Sequence, residues 1–126
     1  MKILVTGGAG YIGSQMVRQL LEKGHEVVVF DNLEGGHKAS LPKEVLLVVG
    51  DMHDQKALSE LFAKESLDAV MHFAGVISMA ESMENPYKYF YTNTFGALIL
   101  FEIMVKHNVS KLIFSSTAGV YGNPVH

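Results

Sequence analysis

The stretch "TGGAGYIGS", Thr6 to Ser14, decides how the rest of the chain reads. It follows the apolar run "KILVT" from Lys2 and precedes a segment of helical periodicity, so it reads as a strand, a glycine turn and a helix start. Its glycines count as G-x-x-G-x-x-G through Gly7, Gly10 and Gly13, or as G-x-G-x-x-G through Gly8, Gly10 and Gly13. Both counts carry the same physics. An early glycine permits the tight turn, Gly10 lets backbone approach a pyrophosphate, and Gly13 lets the helix pack close on the strand. The amides around Tyr11 and Ile12 then point at the anion. An ordinary glycine turn is the competing reading, and the strand before and helix after weigh against it.

Outward from this loop, further β-branched runs appear at "EVVVF" from Glu26, "VLLVV" from Val45, "DAVMHF" from Asp68 and "KLIFSS" from Lys111. Each is short and almost continuously apolar, as expected of parallel strands buried on both faces. Helical patterns separate most of them. "SQMVRQLLEKG" sets Met16, Val17, Leu20 and Leu21 on one face and ends at Gly24, a candidate C-cap. "DQKALSELFAKES" repeats the pattern with Leu58, Leu61 and Phe62 after an N-cap at Asp54. A longer helix is predicted from about Pro86 to His107, with Pro86 in its first turn. The main irregular connection is Asn32 to Lys43. The alternation predicts an α/β fold, a doubly wound, Rossmann-like parallel sheet of about five strands, within one domain over residues 1–126.

Asp31 closes the second run in "VVVFDN", 18 residues after Gly13. A carboxylate there can accept hydrogen bonds from the adenosine ribose, although a solvated strand-end acid is the plainer alternative. Asn32 and Leu33 follow with no adjacent arginine for a 2′-phosphate, so the expected cofactor is NAD rather than NADP. Asp51, in "VVGDMHD", could reach the adenine edge or cap a helix. "HFAG" ends the fourth run with small residues where backbone could pass close to a cofactor.

The bulk properties narrow the classes. The 126 residues are 48% hydrophobic and 18% charged, a globular composition, with a net charge of −3. That balance gives no basic face for nucleic acid. With no cysteine there is no disulfide framework or thiolate metal site. The six histidines show no metal-ligand spacing; His72 reads as a core residue and the others, His126 included, as surface. "MKILVTGG" leaves no room for a signal peptide, and "FGALILFEIMV" is broken by Glu102 and too short to span a bilayer. A soluble, cytoplasmic chain with no membrane or metal partner is expected.

Taken in order, "TGGAGYIGS", "FDN", "GDM", "HFAG", "YTNTFG" and "FSSTAGVYG" resemble the extended short-chain dehydrogenase/reductase family over the whole chain. The resemblance implies that Gly7, Gly10, Tyr11, Ile12 and Gly13 hold a pyrophosphate. It implies that Asp31 and Asn32 lie at the adenosine ribose, with Leu33 also cofactor-binding, Asp51 and Met52 at the adenine, and Phe73, Ala74 and Gly75 along the cofactor's middle. Asn93 and Ser115 match interior polar positions near the cofactor, and Thr117 matches the catalytic hydroxyl that bonds the sugar at the carbon being oxidised.

The family's Tyr-x-x-x-Lys pair does not occur in these residues. Tyr121 is followed four positions on by Val125 and matches the family's "VYG" turn instead. A phenol with a pKa near 10 needs a nearby cation to serve as a base at neutral pH. Ile77 stands where some relatives carry a cofactor-contacting lysine. Dehydratases of the family carry acidic residues where this chain has Ala118 and Gly119, so the resemblance best fits NAD-dependent 4-epimerisation of a UDP-hexose. The chain would then be the cofactor-binding part, inactive alone, with a UDP-sugar as the complete enzyme's substrate. A non-catalytic NAD-binding module, one half of a split enzyme, and part of another sugar-nucleotide enzyme stay open. Leu98, Ile99, Phe101 and Val105 on the long helix are apolar enough to predict a homodimer or other association there.

Overall fold

The computed structural model describes residues 1–122, apart from the Ala118 side chain; Val125 and His126 lie outside the described residues. β1 (Lys2–Thr6), β2 (Glu26–Asp31), β3 (Leu46–Val49), β4 (Ala69–His72) and β5 (Leu112–Phe114) form one parallel sheet in the order β3-β2-β1-β4-β5. Each predicted run contains a strand, and β1 matches its run end to end.

Side chains alternate across the sheet. Ile3, Val5, Val27 and Val29 pack against Val17 and Leu20 of α1 (Tyr11–Glu22). Leu4, Val28, Phe30 and Val70 face the other way, onto Leu58, Leu61 and Phe62 of α2 (Gln55–Glu65) and onto Leu100 and Ile103 of a later helix. This is the doubly wound arrangement expected.

Local signals end the helices as predicted. α1 closes with Gly24 at φ +77°, where the Gly24 amide donates to the Leu21 carbonyl and the His25 amide to the Leu20 carbonyl. That pair of reversed bonds is a Schellman motif. Asp54 caps α2 by accepting from the Ala57 amide at 2.9 Å.

The predicted Pro86–His107 helix is a composite. α3 (Met79–Glu84), which the sequence pattern did not reveal, precedes α4 (Pro86–Tyr89); a π-helical stretch (Phe90–Phe95) then leads into α5 (Gly96–Lys106). The His53 ring donates from Nε2 to the Tyr91 carbonyl at 3.0 Å, satisfying a carbonyl within the π stretch. Ile99 is buried and Phe101 packs against the core, so these two do not face water as expected. Leu98 and Val105 do, and Tyr87, Tyr91 and Phe95 extend the exposed stripe as a stacked ladder. Among the described residues, no helix is long and apolar enough to cross a membrane.

His72 is buried, as expected, and shares a 2.6 Å hydrogen bond with Thr6 across β1 and β4. Burial pushes its pKa down to about 4. His53 and His107 are half-buried rather than on the surface: His53 stacks on Tyr91, and His107 lies against Phe62.

Candidate functional site

The chain winds away from β1 in both directions, through β2 on one side and β4 on the other. A crevice therefore opens beyond the carboxyl ends of these strands, the place where such sheets bind ligands. Nine residues expected to contact a dinucleotide line this cleft: Gly7, Gly10, Asp31, Asn32, Asp51, Met52, Phe73, Ala74 and Gly75.

Its first wall is backbone. Gly7 turns at φ +68°, and a Cβ there would lie 2.5 Å from the Ala74 amide nitrogen. A Cβ on Gly13 would stand 2.2 Å from the Gly7 carbonyl oxygen, so α1 is seated directly on the turn. Gly7 thus makes the turn of the two possible glycine counts, while Gly8 abuts the buried Val29 side chain. Gly10 is the N-cap of α1 and provides no side-chain cap. The first-turn amides, those of Tyr11 and Ile12 among them, are left for an anion, and both side chains are exposed.

Asp31 anchors the second wall. One carboxylate oxygen accepts from the Ala9 amide at 2.9 Å and the other from the Leu33 amide at 2.8 Å. A carboxylate has acceptor capacity beyond these two bonds, which suits it to ribose hydroxyls. Leu33 does not line the cleft; it sits at φ +63° and contributes the amide that holds Asp31. Asn32 bonds Asp51 at 3.4 Å and turns the loop by accepting from the Glu34 amide.

Asp51 does not cap α2, since Asp54 does. It accepts from the His53 amide at 2.9 Å and pairs with the His53 ring. Burial raises the Asp51 pKa, but the bonds from the His53 amide and ring and from Asn32 outweigh it, leaving the carboxyl below its ordinary range.

Besides Leu33, the expected residues Tyr11, Ile12, Gly13, Asn93, Ser115 and Thr117 stand back from the lining. Asn93 clamps the strand-end backbone, accepting from the Val76 amide and donating to the Val76 carbonyl, both at 2.9 Å. Thr92, one position earlier on the helical rod that runs from Pro86 to Lys106, lines the cleft. Ser115 follows β5, its amide bonded to the His72 carbonyl. Thr117 caps the 3₁₀ turn Ala118–Tyr121 by accepting from the Gly119 amide at 3.1 Å.

Sequence reasoning also missed Glu34 and Lys88, which face the cleft from a loop and from α4. Lys88 pairs with Glu81, whose second oxygen accepts from the Tyr89 hydroxyl at 3.0 Å. Among the described residues, no cluster of histidine, aspartate and glutamate could hold a metal ion.

A cradle of amides beside a fixed carboxylate fits a dinucleotide, with phosphate on the first and sugar on the second. Comparison with known proteins agrees. A model of the NAD dependent epimerase/dehydratase family matches residues 3–126. The UDP-glucose 4-epimerase of Lacticaseibacillus casei is 46% identical over 124 residues, which are 98% of this chain and 38% of that protein. The Thermus thermophilus UDP-glucose 4-epimerase, solved with NAD, superposes with a TM-score of 0.90 at 40% identity, covering 93% of this chain and 38% of that one. The Bifidobacterium longum UDP-glucose 4-epimerase, solved with NAD+ and UDP, gives 0.92 at 38% identity, covering all of this chain and 40% of that one. The chain thus spans about 38% of the length of such relatives, corresponding to their N-terminal part. With the family model matching nearly the whole chain and relatives well over a third identical across it, the chain belongs to the NAD dependent epimerase/dehydratase family.

Proposed function

We propose that residues 1–126 form the NAD-binding domain of an enzyme that interconverts UDP-glucose and UDP-galactose at C4. The observation that carries this reading is the juxtaposition of the first-turn amides of α1 with Asp31 across one cleft. In it, Gly7, Gly10, Tyr11, Ile12 and Gly13 receive the pyrophosphate. Asp31, Asn32 and the Leu33 turn hold the ribose, Asp51 and Met52 border the adenine, and Phe73 to Gly75 lie along the middle. Asn93 supports the cofactor wall through Val76, and Ser115 and Thr117 approach the reacting sugar. When bound, NAD would supply the two-electron acceptor that hydride exchange at C4 requires.

This chain's residues orient the cofactor, and the Thr117 hydroxyl bonds the sugar oxygen whose proton is lost. Ala118 and Gly119 bring no acid or base for eliminating water, which favours epimerisation over dehydration. Since these residues contain no Tyr-x-x-x-Lys pair, the chain as it stands binds NAD without turnover. The exposed Tyr87, Tyr91, Phe95 and Leu98 stripe forms the contact of a homodimer.

Calorimetry with NAD and NADP tests the cofactor, and an epimerase assay on the same sample tests turnover. NAD is expected to bind the more tightly, because Asp31 and Glu34 both present carboxylates on the ribose side. Asp31→Ala should weaken NAD about tenfold or more, as a charged hydrogen-bond partner is lost. NADP binding tighter than NAD overturns the reading.

A further inference from the structure

Among the described residues that line the cleft, Lys88 is the sole cation, against three carboxylates, Asp31, Glu34 and Asp51. A dinucleotide brings further negative charge into this space. Lys88 and Thr92 lie one helical turn apart, and both reach the lining from the rod. The Lys88 ammonium is engaged outside the cleft by Glu81, which the Ser78 cap and the Tyr89 hydroxyl hold in place. The hydrogen bond from Lys88, then that from Tyr89, keeps the Glu81 carboxyl below its ordinary range. Glu34, on the opposite wall, also favours the charged ammonium. The Lys88 side chain is 43% exposed, so its flexible stem is free to swing.

We propose that Lys88 is a cofactor-contacting residue whose ammonium leaves Glu81 for the dinucleotide's pyrophosphate, across from the first-turn amides of α1. Glu81 competes with the ligand for the same cation and so sets the affinity. The inference rests on the dinucleotide reading above and adds a specificity residue to it. It requires the two members of one ion pair to act in opposite directions, which a merely structural pair cannot do.

The test is calorimetry on the whole chain and its Lys88→Met, Lys88→Arg and Glu81→Gln variants, titrated with NAD, NADP, ADP and adenosine at low and moderate salt. Lys88→Met should weaken NAD and ADP about tenfold, leave adenosine unchanged and flatten the salt dependence. Lys88→Arg should restore most of the affinity, and Glu81→Gln should tighten NAD by about two- to fivefold. Unchanged NAD binding in Lys88→Met overturns the inference, as does an equal loss for adenosine. A loss confined to NADP also overturns it, placing the ammonium at a ribose phosphate instead. If Lys88→Met fails to fold, Glu81→Gln decides: weaker NAD binding there makes the pair structural and the inference wrong. Wild-type chain that binds no NAD brings down the dinucleotide reading itself, whereas wild-type binding with an indifferent Lys88 brings down only this one.

Discussion

The runs that became β1 and β5 are alike in sequence, "KILVT" and "KLIFSS", yet they meet opposite fates. In β1 every residue from Ile3 to Thr6 is buried, whereas all three residues of β5 are exposed. Position in the sheet makes the difference. β1 is central, with α1 on one side and α2 and α5 on the other, while β5 is an edge strand. Met71 of β4 and Ile113 of β5 sit side by side in register, on the face that α1 covers only over β1 and β2. Composition therefore identifies a strand, and helix coverage determines how much of it is buried. The cleft residues Gly7 and Asp31 belong to the closed half, at the ends of β1 and β2.

The contrast should break most readily at its closed half. Gly13→Ala drives a methyl into backbone with no flexible atom to yield, and should cost about 3 kcal/mol or more. A wild-type midpoint in urea would mean that α1 is not seated on the turn. His72, at the seam between β1 and β4, gives the next effect. Unfolded histidine takes up a proton near pH 6.5, whereas buried His72 resists until about 4. Its contribution is thus intact above pH 6.5 and drains away as pH falls towards 4, amounting to about 3 kcal/mol. Denaturation across that range, with His72→Gln removing this part of the slope, checks it.

Smaller changes sharpen the comparison. Asp54→Ala deletes the α2 cap and should lower stability by about 1 kcal/mol, read as a shift in thermal midpoint. Ile113→Thr, on the open half, should change stability by less than about 0.5 kcal/mol. A loss as large as that of a core truncation would mean that something covers this face in solution.

Much of the fold was legible because parallel strands and amphipathic helices write their burial into local patterns. Asp54, Gly24 and Pro86 are likewise local signals, and each sits where its chemistry requires. The π stretch had no such signature, since it depends on His53 arriving from a distant turn to meet the Tyr91 carbonyl. The same holds within the site. Gly7 and Asp31 could be read from spacing along one strand–turn–helix unit. Glu34, Lys88 and Thr92 could not, because they reach the cleft only after a loop and a helical rod fold towards it. Asn93 illustrates the phase problem: it clamps the Val76 backbone, while Thr92, one residue earlier along the rod, lines the cleft.

The grip on Asp31 has a thermodynamic corollary. Because Ala9 and Leu33 already immobilise the carboxylate, any hydroxyl donating to it would meet a group whose rotational freedom was surrendered during folding. Freezing that side chain is then charged to the protein, so a ligand held there would gain affinity without a single added contact.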